Sequence, residues 1–195
     1  MNDRVQPGQL RRELRFSRST ISQNLESIGV SMDEVKPLLE AFMTTNGLLG
    51  LYGSELLLAE KALGISAGTP AVDLVGELVS VKQVPADTGV SYGYLSRTTA
   101  NTTLGLVGIG FSDGIPRSAT NQIKLSISGR SYPGIGRIAM DQCIVDLGQD
   151  SPNLGAEVSF FNGEFGLSDW ALVSGFSQLE ILGRITDRVV RTWSE

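Results

Sequence analysis

Histidine is absent from the 195 residues of this chain, and cysteine occurs once. Histidine is the side chain that titrates nearest neutrality and the commonest metal ligand. Its absence excludes a Ser-His-Asp or Cys-His hydrolase built from this chain alone. Zinc sites of the HExxH type and zinc deaminase sites are excluded with it. Acid/base chemistry is left to Tyr, Lys, Asp, Glu, the single Cys143, or groups supplied from elsewhere. A lone cysteine forms no internal disulfide, so no oxidising compartment is required. Aromatics are scarce at 7%, and apolar runs of the roughly 18 residues that a membrane helix needs are missing. The opening MNDRVQPGQLRREL lacks the apolar core of a signal peptide, so the cytoplasm is the expected location and no membrane partner is expected.

What remains is globular in character. Hydrophobic residues make up 41% and charged residues 19%, enough for a real core in one domain or one domain with a modest extension. Glycine is abundant at 23 residues, which favours turns and short strands. The net charge is −5, unevenly placed. Residues 1–18 hold Arg4, Arg11, Arg12, Arg15 and Arg18 against Asp3 and Glu13, a balance of +3, which leaves −8 on the rest. A basic arm of this size is read as a solvated helix face before it is read as a nucleic-acid contact.

The texture changes near residue 70. Before it, apolar residues fall at helical spacing: Leu10, Leu14, Ile21, Leu25 and Ile28 predict a first helix closed by Gly29. Ser31 with Glu34 has capping-box spacing ahead of a second helix, Val35 to Met43. Ser54 is placed to cap a third, ended by Gly64. After residue 70 the runs favour strands: Val72–Val84, Thr103–Ile109, Ile123–Ile127, Ile135–Met140, Ile144–Leu147 and Val158–Phe161, each bounded by turn residues. A helical turn is expected over Asp169–Ser174 and an alternating tail over Leu179–Trp193. The reading is a helical N-terminal segment (1–66) followed by a mainly β domain (67–195), a small antiparallel barrel or sandwich.

Three short motifs fail on context. Gly89-Val-Ser-Tyr-Gly93 matches the nucleophile-elbow pattern, yet no histidine exists to partner the serine. Gly108-Ile-Gly110 with Gly114 lacks the βαβ unit of a dinucleotide site. Arg11–Ser31 has a helix-turn-helix rhythm but too little positive charge behind it, so nucleic acid is not expected as a partner.

Read in order, three other segments carry more information. Val90-Ser-Tyr-Gly93, Val107-Gly-Ile-Gly-Phe-Ser-Asp-Gly-Ile-Pro-Arg117 and Gly136-Arg-Ile-Ala-Met-Asp-Gln142 resemble successive signatures of the alanine racemase family, at similar spacings. Upstream, Gly50-Leu-Tyr-Gly53 resembles the segment that leaves the family's barrel. Downstream, Leu179-Glu180, Arg184 and Arg188-Val-Val-Arg191 resemble its closing strands. The likeness covers roughly residues 47–193. It implies the family's C-terminal β domain without the N-terminal barrel that binds pyridoxal phosphate through a lysine, since only some 46 residues precede the matched region and a barrel takes about 200 or more. None of Lys36, Lys61, Lys82 and Lys124 sits in the family's cofactor-lysine motif.

The resemblance assigns roles residue by residue. Tyr92 matches the catalytic tyrosine that serves one face of the substrate α-carbon. Met140 matches the backbone amide that holds the substrate carboxylate, and Asp141 the acid beside it. Phe111 stands at the substrate gate where a tyrosine is usual. Leu179 replaces a tyrosine that bonds the cofactor phosphate, so no cofactor-binding residue is expected here. Arg137 is read as electrostatic support for the Met140 turn, and Asp113 and Arg117 as residues fixing their loop. The implied partner is a cofactor-binding barrel from another chain, or a second copy. The alternatives are a non-catalytic dimerisation module and, behind it, a DNA-binding regulator. The chain alone is expected to be inactive, without metal.

Overall fold

The computed structural model describes residues 10–65 and 68–195. Its first element already departs from the helical expectation. Glu13–Ser17 is a strand, β1, with Leu14 and Phe16 buried and the residues between them turned outward. Leu10, Leu14 and Ile21 satisfy helical spacing, but Leu14 and Phe16 also alternate, and available strand partners decide between the two periods. Helix α1 begins only at Arg18 and runs to Glu26, with the Ser17 hydroxyl accepting the Thr20 amide at its start.

Two further helices follow, α2 (Lys36–Phe42) and α3 (Gly53–Ala62). The Ser31–Glu34 capping box forms, each residue's side chain accepting the other's amide. Helix α3 begins one residue before Ser54, with Tyr52 rather than Ser54 at its cap position and no side-chain cap bond. Asn24 of α1 is buried and fully used. It donates to Ala62 O and Thr69 O and accepts from Thr69 N–H. The chain then returns to its point of departure, since Ser17 N–H donates to Ala71 O at 2.9 Å.

The β domain consists of β2 (Val72–Val84), β3 (Gly89–Val90), β4 (Ser96–Arg97), β5 (Thr102–Val107), β6 (Lys124–Ile127), β7 (Arg130–Pro133), β8 (Cys143–Gly148), β9 (Glu157–Ser159) and β10 (Val190–Ser194). Helices α4 (Leu167–Ser174) and α5 (Gln178–Gly183) lie between the last two strands. Strand β2 is the hinge of the architecture. Its first half pairs antiparallel with β1 and β9, and its second half with β5, which pairs in turn with β8. A register shift between Leu78 and Ser80 marks the bend, the usual device by which one strand serves two sheets. The other arm runs β10-β1-β2-β9-β6-β7, with β1 and β10 parallel. Among the described residues, β7 and β8 form no ladder and meet only at an isolated bridge, Gly134 to Val145, beside the Ile135 N–H bond to Ile144 O, so the barrel stays open.

One expected strand is absent and the expected alternating tail is shortened. Ile135–Met140 is a loop, because Gly136 sits at φ +81° and its amide is taken by Asn121 Oδ1 instead of a ladder partner. The tail is extended only over Val190–Ser194; Leu179 lies inside α5, whose Ser177–Glu180 capping box starts it. One contiguous core includes residues from every part, with Phe16 stacked on Phe42 of α2 at 5.6 Å and tilted at 53° against Trp193 of β10 at 5.8 Å. Trp170 of α4 is fully buried and donates its indole N–H to Phe160 O at 2.7 Å.

Candidate functional site

Tyr92 sits at the tip of the β3–β4 hairpin, in a short 3₁₀ turn over Tyr92–Tyr94. The backbone before it is strained. Ser91 has φ 61° and ψ −178°, a region that costs a non-glycine residue about 1–3 kcal/mol. The strain is held by the Ser91 hydroxyl, which donates to Arg137 O at 2.8 Å. Gly93 follows at φ +72°, and a Cβ there would come within 2.7 Å of the Arg137 guanidinium. The hairpin tip and the 134–142 loop are therefore fitted against each other, and Tyr92 projects from the join, 44% exposed.

Its ring is flanked by two guanidinium groups, Arg137 at 5.4 Å and Arg117 at 5.5 Å from the centroid. Arg117 also lies 5.7 Å over Phe111, so one cation spans both aromatic residues. This goes beyond the loop-fixing role read for Arg117 from the sequence. Phe111 starts a 3₁₀ turn (Phe111–Asp113) that is laced to the Met140 loop. Phe111 N–H donates to Ala139 O, and Ser112 donates to Met140 O through both its amide (2.9 Å) and its hydroxyl (2.6 Å). Gly110 makes this approach possible, since a Cβ there would fall 2.3 Å from Met140 O.

Met140 stands on the surface with its carbonyl fixed, and its amide N–H has no hydrogen-bond partner among the described residues. An amide without an internal partner, on a residue at the surface, can serve an acceptor from outside. Asp141 is held by Arg188 at 2.7 Å and by the Ser112 hydroxyl at 3.1 Å. The Arg188 hydrogen bond keeps the Asp141 carboxyl below the usual carboxylate range. The same arginine reaches inward to Asp113, a completely buried carboxylate, at 3.2 Å, and bonds the Ser112 hydroxyl. Arg12 approaches the same Asp113 oxygen, Oδ1, at 3.4 Å while donating to Gly108 O. Burial pushes the Asp113 carboxyl up, opposed by the Gly110 amide and then by Arg12 and Arg188. Arg12 and Arg188 stand 176 positions apart in the chain, so no local pattern announces that they converge on this acid.

Tyr92, Phe111, Met140 and Asp141 thus share one surface. Leu179 does not join it: the side chain is 8% exposed and belongs to the core. Cys143 is buried in the core with its thiol pushed up to about 12 by desolvation, an unreactive residue. The basic arm is largely occupied. Arg11 and Arg15 pair with Glu157, Arg12 with Asp113, and Arg18 stacks 4.7 Å over Trp193, while Arg4 lies outside the described residues. No group of metal-ligating side chains occurs among the described residues, and no helix among them is long and apolar enough to cross a membrane.

Residues 71–193 match the family described as "Alanine racemase, C-terminal domain". The chain belongs to the alanine racemase family. Alanine racemase of Streptomyces coelicolor is 45% identical over 128 residues, covering 64% of this chain and 33% of that protein. The Mycolicibacterium smegmatis alanine racemase is 35% identical over 159 residues, covering 78% of this chain and 40% of the other. The chain spans only about a third of the length of such relatives. Among solved structures, the S. coelicolor alanine racemase superposes with a TM-score of 0.63 at 42% identity, over 71% of this chain and 36% of that one. Alanine racemase of Bartonella henselae, with covalently bound pyridoxal phosphate, gives 0.61 at 25% identity, over 65% of this chain and 36% of that one.

The residues of this alanine racemase domain do not by themselves fit that cofactor. Covalent attachment calls for a lysine amine, and the four lysines are scattered over α2, α3, the second half of β2 and β6 instead of gathering at one site. Leu179, in the apolar core, has no donor for a phosphate.

Proposed function

We propose that this chain supplies the C-terminal half of an amino-acid racemase site and works against a cofactor-binding barrel carried by another chain. The observation that supports the reading is that Arg117 spans the rings of Tyr92 and Phe111, and that the Phe111 turn is hydrogen-bonded to the Met140 loop. Tyr92 is the group that takes or returns a proton at its phenolic oxygen on one face of an α-carbon. The guanidinium groups of Arg117 and Arg137 flank the ring and hold it in place for that role. The Met140 N–H is a donor for the substrate carboxylate. Asp141, fixed by Arg188, borders the approach, and the Phe111 ring narrows it. The other face of the α-carbon, and the pyridoxal phosphate, belong to the partner. By itself the chain is inactive, and the cytoplasm, where Cys143 stays reduced, suits it.

A second reading is a non-catalytic association module. Exposure of Tyr94, Leu95 and Met140 around Tyr92 favours a surface that meets another protein under either reading. The two separate in one experiment: the full chain is mixed with lysine-bearing racemase barrels and pyridoxal phosphate, and conversion of L- to D-alanine is followed. Conversion that needs both components supports the racemase half. Barrels that bind the chain and gain no activity overturn it, and self-association without any affinity for a barrel supports the module.

A further inference from the structure

A cavity of about 610 Å³ opens beside the Tyr92 surface, between the loop 114–118 and the turn that follows α5. Its volume is in the range of sites for small organic ligands. The two walls are locked at close quarters: Gly114, at φ +113°, lies so near the chain that a Cβ would fall 2.4 Å from Arg184 O. Ser118 ties the loop to the end of α4 by donating to Ser174 O at 2.9 Å. The apolar lining comes from Phe111, Ile115, Pro116 and Phe176, and the charge from Arg117 and Arg184.

Both arginines are held by ring faces and not by acids. Arg184 lies 4.4 Å over Phe176, and Arg117 over Phe111 and Tyr92. Neither guanidinium makes an ion pair or donates a hydrogen bond among the described residues. Glu180, one turn earlier on α5, feels the Arg184 charge without touching it. A guanidinium stacked on a ring keeps its N–H groups free at the edge, in the fork geometry that suits a carboxylate. Two such edges in an open cavity with apolar walls, on a body that is otherwise acidic, form a local anion trap.

We infer that this cavity binds a small organic carboxylate carrying an apolar or aromatic group, with the carboxylate on Arg184 and Arg117 and the apolar group against Phe111 and Phe176. This binding requires neither a barrel nor a cofactor, so it stands or falls independently of the racemase reading.

The test is calorimetric titration of the full chain at low salt with phenylacetate, its neutral amide phenylacetamide, and inorganic phosphate. Phenylacetate is expected to bind saturably at one site, with the amide and phosphate each at least about tenfold weaker for want of the charge or the apolar group. Arg184→Gln is expected to weaken phenylacetate by at least about tenfold, and Arg184→Lys to recover only part of it, because an ammonium lacks the planar edge. Arg130→Gln, remote and paired with Asp150, changes nothing. Amide shifts on adding phenylacetate should map to residues 111–118 and 176–186. Absence of saturable binding, phosphate binding as tightly as phenylacetate, or indifference to both Arg184 substitutions in folded protein would overturn the inference.

Discussion

The Arg188 guanidinium lies 2.7 Å from the exposed Asp141 carboxylate, and the same side chain reaches the buried Asp113 at 3.2 Å. One residue near the C-terminus thereby fixes both the acid at the site and the turn beneath it. Arg188→Gln leaves Asp113 with Arg12 as its remaining cation and frees the Ser112–Asp141 contact. A loss of about 1–3 kcal/mol is expected from urea unfolding, less than for a fully buried pair because Arg188 is 39% exposed. Arg188→Lys should recover part of it.

Acid should unfold the protein partly through Glu157. Its carboxyl is held low by the Arg15 hydrogen bond first, then by Arg11 and Arg15 charge. For a lowered acid the stabilisation is present above the unfolded value and is lost as pH falls through the folded one. Asp113 has the opposite sign, since its raised folded value makes its contribution fall as pH rises through that value. Glu157→Gln is therefore expected to lower the urea midpoint at neutral pH and flatten its decline below the carboxylate range. An unchanged acid limb would show that the Arg15 pair carries no linkage.

Phe16 is the tie between the helical segment and the sheet, through Phe42 and Trp193. Phe16→Ala should cost about 3–5 kcal/mol. Because β1 pairs on both sides, the loss should appear in one transition followed alike by tryptophan fluorescence and circular dichroism. Two separated transitions would mean that residues 18–71 unfold on their own.

Gly93→Ala sets a side chain at φ +72° and against Arg137. About 1–2 kcal/mol of destabilisation is expected from the backbone alone. Displacement of the Arg137 guanidinium from the Tyr92 ring should move the Tyr92 ring resonances in NMR spectra, and unmoved resonances would contradict the contact.

Much of the β domain was legible because its strands are short, alternating and bounded by turn residues. The motifs around Tyr92, Phe111 and Met140 could be placed on one domain in the right order. Strand β1 was not legible, because Leu10, Leu14 and Ile21 satisfy a helical period and the alternation of Leu14 and Phe16 gains meaning only beside β2 and β10. The 135–140 loop misled for a related reason: Ile135 and Ile138 look strand-like, while Asn121 and Thr120 take the amides that a ladder would have used. Arg117 gave no local signal of its place over two rings, and Arg184 none of its place over Phe176, since both contacts come from tertiary packing.

The most direct measurement of the central claim is the effect of Tyr92→Phe on the reconstituted pair of chain and barrel. The ring, and its packing between Arg117 and Arg137, survive this change, and the phenolic oxygen is lost. Racemisation kcat should fall by about 10²–10⁴, the usual worth of a positioned proton-transfer group, with barrel affinity and folding unchanged. Racemisation at the unaltered rate, in a pair that forms normally, would contradict the claim that Tyr92 moves the proton.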